Sequence, residues 1–187
     1  PGNTIYIDNV PVSAGSGALA ITDALSALAQ QQQAGALTME GFGANRTILD
    51  PRLQMARPAA GQQEAAKALH DLLARDAMPA PTTIQDPLSI RCMPSIHGAL
   101  IEAIGQAKSA VEIELNAAAD NPLVIGDDEL VMSTGNFHTA ALSLAFETLG
   151  LAIAQCAAAS VARFIQLTGS GRNGLTKYLS PIGGAPA

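Results

Sequence analysis

The sequence predicts a mainly α-helical protein, a bundle of long helices that carries one short β-hairpin. Apolar residues recur at helical spacing over stretches of up to about seven turns. Of the 187 residues, 48% are apolar and only 14% are charged, so much of the helix surface must be covered by other protein. Prolines and glycines cluster between the periodic stretches, where they end helices.

The N-terminal part of the chain is predicted to hold a short strand, a loop and a helix. Residues 4–8 alternate β-forming side chains and are typical of a strand, whereas residues 9–17 are rich in residues that break regular structure. Residues 18–34 repeat apolar side chains at helical spacing. We therefore predict a strand-and-loop lead-in over 1–17 and a helical core that begins at residue 18.

Two helices are predicted in the middle of the chain. Residues 62–75 form an amphipathic pattern. Its apolar stripe consists of Ala65, Leu69, Leu72 and Leu73. Four prolines within 78–94 exclude long regular structure there. Pro94 suits the start of the next helix, whose apolar face continues to Ala118.

The C-terminal half is predicted to hold a hairpin and the longest helix. The pair Asn121-Pro122 ends the preceding helix, because a residue before proline disfavours the α conformation. Residues 123–133 are typical of a β-hairpin that turns at 126–128. A helix over about 137–168 completes a helical core spanning 18–168. The tail, 169–187, is rich in glycine and proline and is predicted to be loose.

Charge and cysteine content exclude several classes of function. The net charge of −6 comes without a cluster of basic residues, so we expect no nucleic-acid partner. The uncharged run between Glu147 and Arg163 is shorter than the about 18 residues that a membrane helix needs, so we expect no membrane partner. Cys92 and Cys156 lie far apart without metal-ligand spacing, which predicts a reduced, cytoplasmic protein without a metal site.

Three motifs give the chain a specific resemblance to a known family. They are QDPLSIRCMP at 85–94, EIELNAAADNPL at 112–123 and GNFH at 135–138. In this order they resemble QDPYSLRCQP, EIEANAVSDNPL and GGNFH of the histidine/phenylalanine ammonia-lyase family. The resemblance implies the central domain of the ammonia-lyase/fumarase-like fold. In that fold the long helices of four subunits form a central bundle, and each active site draws residues from three subunits.

The resemblance also implies an activity and a cofactor. Members of the family are carbon–nitrogen lyases that remove ammonia from an aromatic amino acid, here a histidine-like one, and leave an α,β-unsaturated acid. Their electrophile, 4-methylidene-imidazol-5-one, forms from Ala-Ser-Gly. That tripeptide is absent from this chain, because residues 14–17 read Ala-Gly-Ser-Gly and only 84 residues precede Gln85. We therefore expect the chain to be the central segment of such a homotetrameric enzyme, inactive by itself and without a cofactor of its own.

Arg91 and Gln85 are the predicted substrate-binding residues of the first motif. A guanidinium group has a planar fork that binds a carboxylate through two hydrogen bonds, and the resemblance assigns Arg91 to the α-carboxylate of the substrate. The alternative is a surface arginine paired with Asp86. Gln85 both donates and accepts hydrogen bonds, and the resemblance places it on the wall of the pocket. Its alternative role is an amide that caps the loop.

The remaining candidates lie in two other segments. The resemblance places Asn136 and Phe137 beside the electrophilic ring as catalytic residues, with core packing as the alternative for Phe137. Asn9 matches a substrate-binding asparagine that follows a strand of the type GLALxN in the family. Here Asn9 is followed by Val-Pro rather than Gly-Thr, so a turn asparagine is the alternative. His138 has the chemistry of a general base, but a lone histidine near a helix start is more typical of a structural donor.

One position departs from the family pattern. The family has a tyrosine three residues after the glutamine, and this chain has Leu88. A phenol can donate a hydrogen bond or transfer a proton, whereas a leucine can do neither. Three functions therefore stay open: an ammonia-lyase, an aminomutase that shares the cofactor and moves the amine from the α to the β carbon, and a non-catalytic helical scaffold derived from the lyase fold.

Overall fold

The computed structural model describes residues 9–74, 81, 83–126, 128–169 and 174–181. Over these ranges the chain is mainly helical, as predicted, with one two-stranded antiparallel sheet. The helices are α1 (Asn9–Phe42), α2 (Pro51–Ala56), α3 (Ala60–Leu73), α4 (Leu88–Arg91), α5 (Met93–Leu115) and α6 (Ala140–Gly169). The strands are β1 (Leu123–Ile125) and β2 (Leu130–Met132), and short 3-10 turns occupy Arg46–Leu49 and Lys177–Leu179.

The chain forms two compact units. Unit 1 comprises residues 1–25 and 103–150, and unit 2 comprises 26–102 and 151–187. The boundaries between the units fall within α1, α5 and α6. These units do not correspond to the predicted lead-in, helical core and tail, and that division stays a prediction. Each unit is described by itself below.

The first helix is longer than predicted at both ends. It begins at Asn9 rather than at residue 18 and ends at Phe42 rather than at residue 34, so the predicted loop over 9–17 is wrong. The predicted strand over 4–8 lies outside the described residues. Glycine and serine disfavour helices by about 1 kcal/mol or less per residue, and tertiary packing readily outweighs so small a preference.

Packing inside unit 1 explains why this segment is helical. Val10 and Ala14 are buried on one face of α1. A Cβ atom on Gly17 would lie 2.9 Å from the ring of Phe146 and 3.0 Å from a methyl group of Val111. Gly17 therefore lets α5 and α6 approach α1 closely.

The other long helices lie within a few residues of their predicted positions. The helix predicted over 62–75 is α3, that over 94–118 is α5, and that over 137–168 is α6. One core residue was assigned wrongly: Leu72 is exposed, whereas the other three members of the α3 stripe are buried. The face that α3 buries includes Ala66 instead, so it is rotated relative to the predicted stripe.

Unit 2 holds the larger described core. Its buried residues come from α1, the segment 44–49, α3, α4 and the start of α5. They are Ala36, Met39, Phe42, Ala44, Leu49, Ala66, Leu69, Leu73, Ile90 and Met93. The backbones of α3 and α5 touch at Gly61 and Gly98, where a Cβ on Gly61 would lie 2.3 Å from the carbonyl oxygen of Gly98. This close crossing fixes the start of α3 beside α5.

The predicted hairpin is confirmed in unit 1. Leu123 pairs with Met132 and Ile125 pairs with Leu130 in an antiparallel register. The side-chain oxygen of Asn121 accepts a hydrogen bond of 2.9 Å from the backbone N–H of Thr134, which joins the two ends of the hairpin.

Two helices carry large apolar surfaces. By length and composition alone, α1 and α6 are long and apolar enough to cross a membrane, a test that core helices of soluble proteins also pass. On α6 the exposed apolar side chains include Leu144, Leu151, Val161, Phe164 and Ile165. The expectation that no helix spans a membrane stays a prediction.

Candidate functional site

The first motif lies on an open cleft of unit 2. The cleft has a volume of about 770 Å³ and is walled by the loop 45–48, the α2–α3 corner and the segment 84–95. Its polar lining residues are Asn45, Thr47, Gln54, Arg57, Gln62, Gln85, Asp86, Arg91 and Ser95. A cleft of this size accommodates an amino acid.

Gln85 and Arg91 lie together on the wall of this cleft. A guanidinium nitrogen of Arg91 donates a hydrogen bond of 3.2 Å to the side-chain oxygen of Gln85. Arg91 ends the four-residue helix α4, and both side chains are exposed. Within the described part of the chain, Arg91 forms no ion pair. Its charge therefore faces the cleft without a carboxylate partner.

Asp86 does not pair with Arg91, so the alternative role considered for that arginine is wrong. Asp86 is only 5% exposed. One carboxylate oxygen accepts a hydrogen bond of 2.6 Å from the backbone N–H of Asn45, and the other accepts one of 3.1 Å from the hydroxyl of Thr83. The Asn45 amide group in turn donates to the carbonyl oxygen of Ile84 at 3.2 Å. These contacts dock the loop before α4 against the loop after α1.

A second set of amides lines the cleft, and the sequence analysis missed it. Gln54 and Gln62 are buried. Gln54 donates to the carbonyl oxygen of Ile48 at 2.6 Å, and Gln62 donates to the side-chain oxygen of Gln54 at 2.8 Å. A guanidinium nitrogen of Arg57 donates to the oxygen of Gln62. A glutamine that falls within the apolar face of a helix was the available signal.

The cleft is a local region of positive charge in an acidic chain. Two guanidinium groups, Arg57 and Arg91, line it, and both donate to neutral amides rather than to carboxylates. The carboxylate of Asp86 is buried and accepts from two donors. A cleft with this arrangement attracts an anionic group such as a carboxylate.

Leu88 lies on the same cleft. It belongs to α4 and is 63% exposed. None of the lining residues is a tyrosine, so within the described residues of the cleft no phenol replaces the one that the family has at this position.

Asn136 and Phe137 occupy a turn after the hairpin of unit 1. The amide group of Asn136 donates to the carbonyl oxygen of Ala118 at 3.2 Å, and its backbone N–H donates to the hydroxyl of Thr134 at 3.2 Å. Phe137 is 48% exposed and precedes α6. In the described structure its ring is therefore not the core residue that the alternative role required.

The two other candidates, Asn9 and His138, lie at the start of α1 and in the turn before α6. Asn9 is the first residue of α1, so it does not lie in a turn as the alternative required, and its side chain lies outside the described residues. His138 is exposed, and its backbone N–H donates to the carbonyl oxygen of Gly135. Gln85 and Arg91 belong to unit 2, whereas these residues and the Asn136 turn belong to unit 1.

Residues 14–17 do not fit a cofactor precursor. Ala14 and Gly17 are buried within the regular helix α1. A regular helical segment lacks the turn that cyclisation of a tripeptide requires. Among the described residues, no group of three or more His, Cys, Asp or Glu side chains is placed to hold a metal ion.

Unit 2 also contains a polar cluster, mostly buried, that the sequence did not reveal. It consists of Gln31, His97, Cys156 and Arg163, and the last of these is 2% exposed. Burial, and then the charge of Arg163, lower the pKa of His97 to about 4, so the imidazole is neutral at pH 7. Burial raises the pKa of the Cys156 thiol.

Comparison with known proteins agrees with this architecture. The family model for aromatic amino acid lyases matches residues 6–185. The chain is 36% identical to histidine ammonia-lyase from Treponema denticola over 95% of its own length, and 38% identical to histidine ammonia-lyase from Anaeromyxobacter dehalogenans over 94%. The chain belongs to the aromatic amino acid lyase family. It spans 36% of the length of each of these two relatives.

A solved structure shows the same fold. Phenylalanine ammonia-lyase from Rhodosporidium toruloides superimposes with a TM-score of 0.82 at 27% sequence identity. The match covers 89% of this chain and 26% of that one. The helical lyase fold expected from the three motifs is therefore confirmed.

Proposed function

We propose that this chain is the central part of an ammonia-lyase that eliminates ammonia from an aromatic, histidine-like amino acid. The observation that carries the proposal is the Arg91 guanidinium, which faces an open cleft and, among the described residues, bonds through its side chain to the neutral amide of Gln85 alone. A free cation of this kind suits the α-carboxylate of an amino acid. The histidine ammonia-lyase relatives support the choice of substrate.

The roles of the other residues follow from their contacts. Gln85 accepts from Arg91, which leaves its amide N–H groups available to a ligand and orients the guanidinium. Asn136 uses its amide N–H on the backbone of Ala118, which leaves its side-chain oxygen available as an acceptor. Phe137 presents an exposed aromatic face. In this proposal these two residues border the reacting group.

The 4-methylidene-imidazol-5-one group supplies the electrophile in such an enzyme when it is present. No Ala-Ser-Gly occurs in these 187 residues, so we propose that another part of the polypeptide contributes it. The chain alone is then expected to bind but not to convert a substrate.

The proposal is tested with the full-length protein and L-histidine, with L-phenylalanine as a second substrate. Ultraviolet absorbance detects the unsaturated acid. Arg91→Met should lower kcat/KM by on the order of a hundredfold to a thousandfold, because it removes a charge-assisted pair of hydrogen bonds. The kcat/KM of Arg91→Lys should lie between those of wild type and Arg91→Met. Arg52 is an exposed arginine outside the cleft, and the kcat/KM of Arg52→Met should match that of wild type.

Three outcomes discriminate between the functions. An unsaturated acid formed by wild type and lost in Arg91→Met supports the lyase. A β-amino acid product instead indicates an aminomutase. Absence of any product from a full-length protein that lacks Ala-Ser-Gly indicates a non-catalytic scaffold, for which Leu88 is the supporting feature.

We also propose that the chain works as a homo-oligomer. The exposed apolar side chains of α6, together with a charged fraction of only 14%, leave more apolar helix surface than a monomer normally exposes. A second copy is the partner expected to cover it. Light scattering at high protein concentration should show an assembly larger than a monomer, and a monodisperse monomer would contradict this proposal.

A further inference from the structure

Arg163 is a buried cation without a carboxylate partner among the described residues. It lies on α6, is 2% exposed and appears in no ion pair. One guanidinium nitrogen donates to the backbone carbonyl oxygen of Ser89 at 3.4 Å, and another donates to the side-chain oxygen of Gln31 at 3.2 Å. Burial of a charge against neutral acceptors is costly, so stability alone does not account for an arginine here.

The acceptors indicate what the arginine does. Ser89 lies in α4, two residues before Arg91, so the bond from α6 reaches the turn that carries the cleft arginine. A four-residue helix is too short to persist by itself. Arg163 and Gln31 together connect this turn to α6 and α1, elements that are far from it in sequence.

We propose that Arg163 is a positioning residue: it holds the α4 turn from its buried side and so fixes the direction in which Arg91 faces the cleft. The inference rests on the proposed function, in which Arg91 binds the substrate carboxylate. A guanidinium suits this task because its planar fork reaches two acceptors at once, whereas the ammonium of a lysine is a point charge on a flexible stem.

The two titratable groups beside Arg163, His97 and Cys156, add no second charge to this cluster. His97 is 0% exposed, and both of its ring nitrogens lack a hydrogen-bond partner among the described residues. The Cys156 thiol donates to the carbonyl oxygen of Ile96 at 3.8 Å. Both groups are neutral at pH 7, so within this cluster the guanidinium is the ion.

A purely structural role makes a different prediction from a positioning role. Arg163→Met removes a buried charge whose desolvation is costly, and this gain opposes the loss of the donor to Ser89 and Gln31, so the net change in global stability is expected to be small. If Arg163 positions α4, Arg163→Met should therefore keep the global stability of the protein while it loosens the turn. If Arg163 only stabilises the fold, the turn and the whole protein should weaken together.

Hydrogen exchange of the full-length protein separates these outcomes. The amides of Ile90, Arg91 and Cys92 donate within the α4 turn at 2.9 to 3.1 Å and report on its opening. In Arg163→Met they should exchange at least about tenfold faster, with an unchanged midpoint of urea unfolding. Leu149→Met, a volume-conserving change at another buried position of α6, should leave all three rates unchanged.

Kinetics supply the second readout. Arg163→Met should raise KM for the amino acid by about tenfold and lower kcat less, because carboxylate binding is affected before chemistry. Arg163→Lys should recover part of the loss. If Arg163→Met does not fold, exchange of the same three amides is measured in Arg163→Lys. Faster exchange at an unchanged urea midpoint supports the proposal, and exchange at the wild-type rate overturns it.

Failure of this inference is distinguishable from failure of the lyase proposal. Unchanged exchange at α4 in Arg163→Met, or faster exchange throughout the protein with a lower urea midpoint, overturns the positioning role whatever the activity. Loss of the lyase proposal would instead appear as a wild-type protein without product, which leaves the exchange result valid for the turn.

Discussion

The two motif regions that carry the predicted site residues are built in different ways. In unit 2 the turn with Gln85 and Arg91 is held by buried side chains from distant parts of the chain: Asp86 bonds 41 residues back, and Arg163 bonds across 74 residues. In unit 1 the turn with Asn136 is held by exposed contacts over 13 to 18 residues.

This difference has a physical consequence for each turn. A buried donor or acceptor that loses its partner cannot bond to water instead. The turn of unit 2 therefore has one favourable geometry. Exposed hydrogen bonds compete with water and contribute less, so the turn of unit 1 adapts more easily. We infer that the geometry of the turn around Arg91 is set by side chains of this chain, whereas the turn around Asn136 is the more adaptable of the two.

Apolar truncation in the two turns should give the largest contrast. Ile90, which precedes Arg91, is 0% exposed, so Ile90→Ala should lower the free energy of unfolding by roughly 2–5 kcal/mol. Phe137→Ala should cost about 1 kcal/mol or less, because the ring is half exposed. Urea denaturation measures both, and equal losses would contradict the comparison.

The pH dependence of stability should reveal His97, the buried histidine of α5. The unfolded chain protonates His97 near its ordinary pKa of 6.5, whereas the folded protein does so only at about 4. Stability is therefore fully present above pH 6.5 and falls by up to about 3 kcal/mol as the pH approaches 4.

Variants at two histidines isolate this effect. His97→Met should flatten the dependence of the unfolding free energy between pH 4 and 6.5. His138→Gln, at the exposed turn of unit 1, should leave that dependence unchanged. A pH profile of His97→Met identical to that of wild type would show that the imidazole does not resist protonation in the fold.

The carboxylate of Asp86 should matter more than the amide of Asn136. Asp86→Ala leaves the N–H of Asn45 without its buried acceptor and should cost about 1–3 kcal/mol. Asp86→Asn keeps one acceptor oxygen and should cost less. Asn136→Ala removes an exposed bond and should cost about 0.5–1 kcal/mol. Urea denaturation, with hydrogen exchange at the Asn45 amide, checks this order.

The smallest effect on stability is expected at Leu88. Its side chain is largely exposed, so Leu88→Tyr should change the free energy of unfolding by less than about 0.5 kcal/mol. In the full-length protein the added phenol should raise kcat about tenfold if proton transfer is limited at this position. Leu88→Phe, which has the ring without the hydroxyl, is the control, and equal rates in both variants would contradict a role for the phenol.

Sequence reasoning located the main elements because they depend on local patterns. Apolar periodicity placed α3, α5 and α6 within a few residues, and the turn pattern at 126–128 placed the hairpin. Within the motif that begins at residue 85, Arg91 at the end of α4 bonds to Gln85 in the preceding loop. Sequence reasoning failed for residues 9–17, where the packing of Gly17 against Phe146 outweighs a composition typical of loops.

What the sequence by itself determined is therefore the helical class, the family motifs and the residue types available for chemistry. The tertiary structure alone decided which partner each polar side chain takes. In the fold Asp86 bonds to Asn45 rather than to Arg91, and the buried Arg163 bonds to Ser89 of α4. The physical reason is that periodicity encodes which face of a helix is apolar, whereas a buried hydrogen bond depends on residues that only folding brings together.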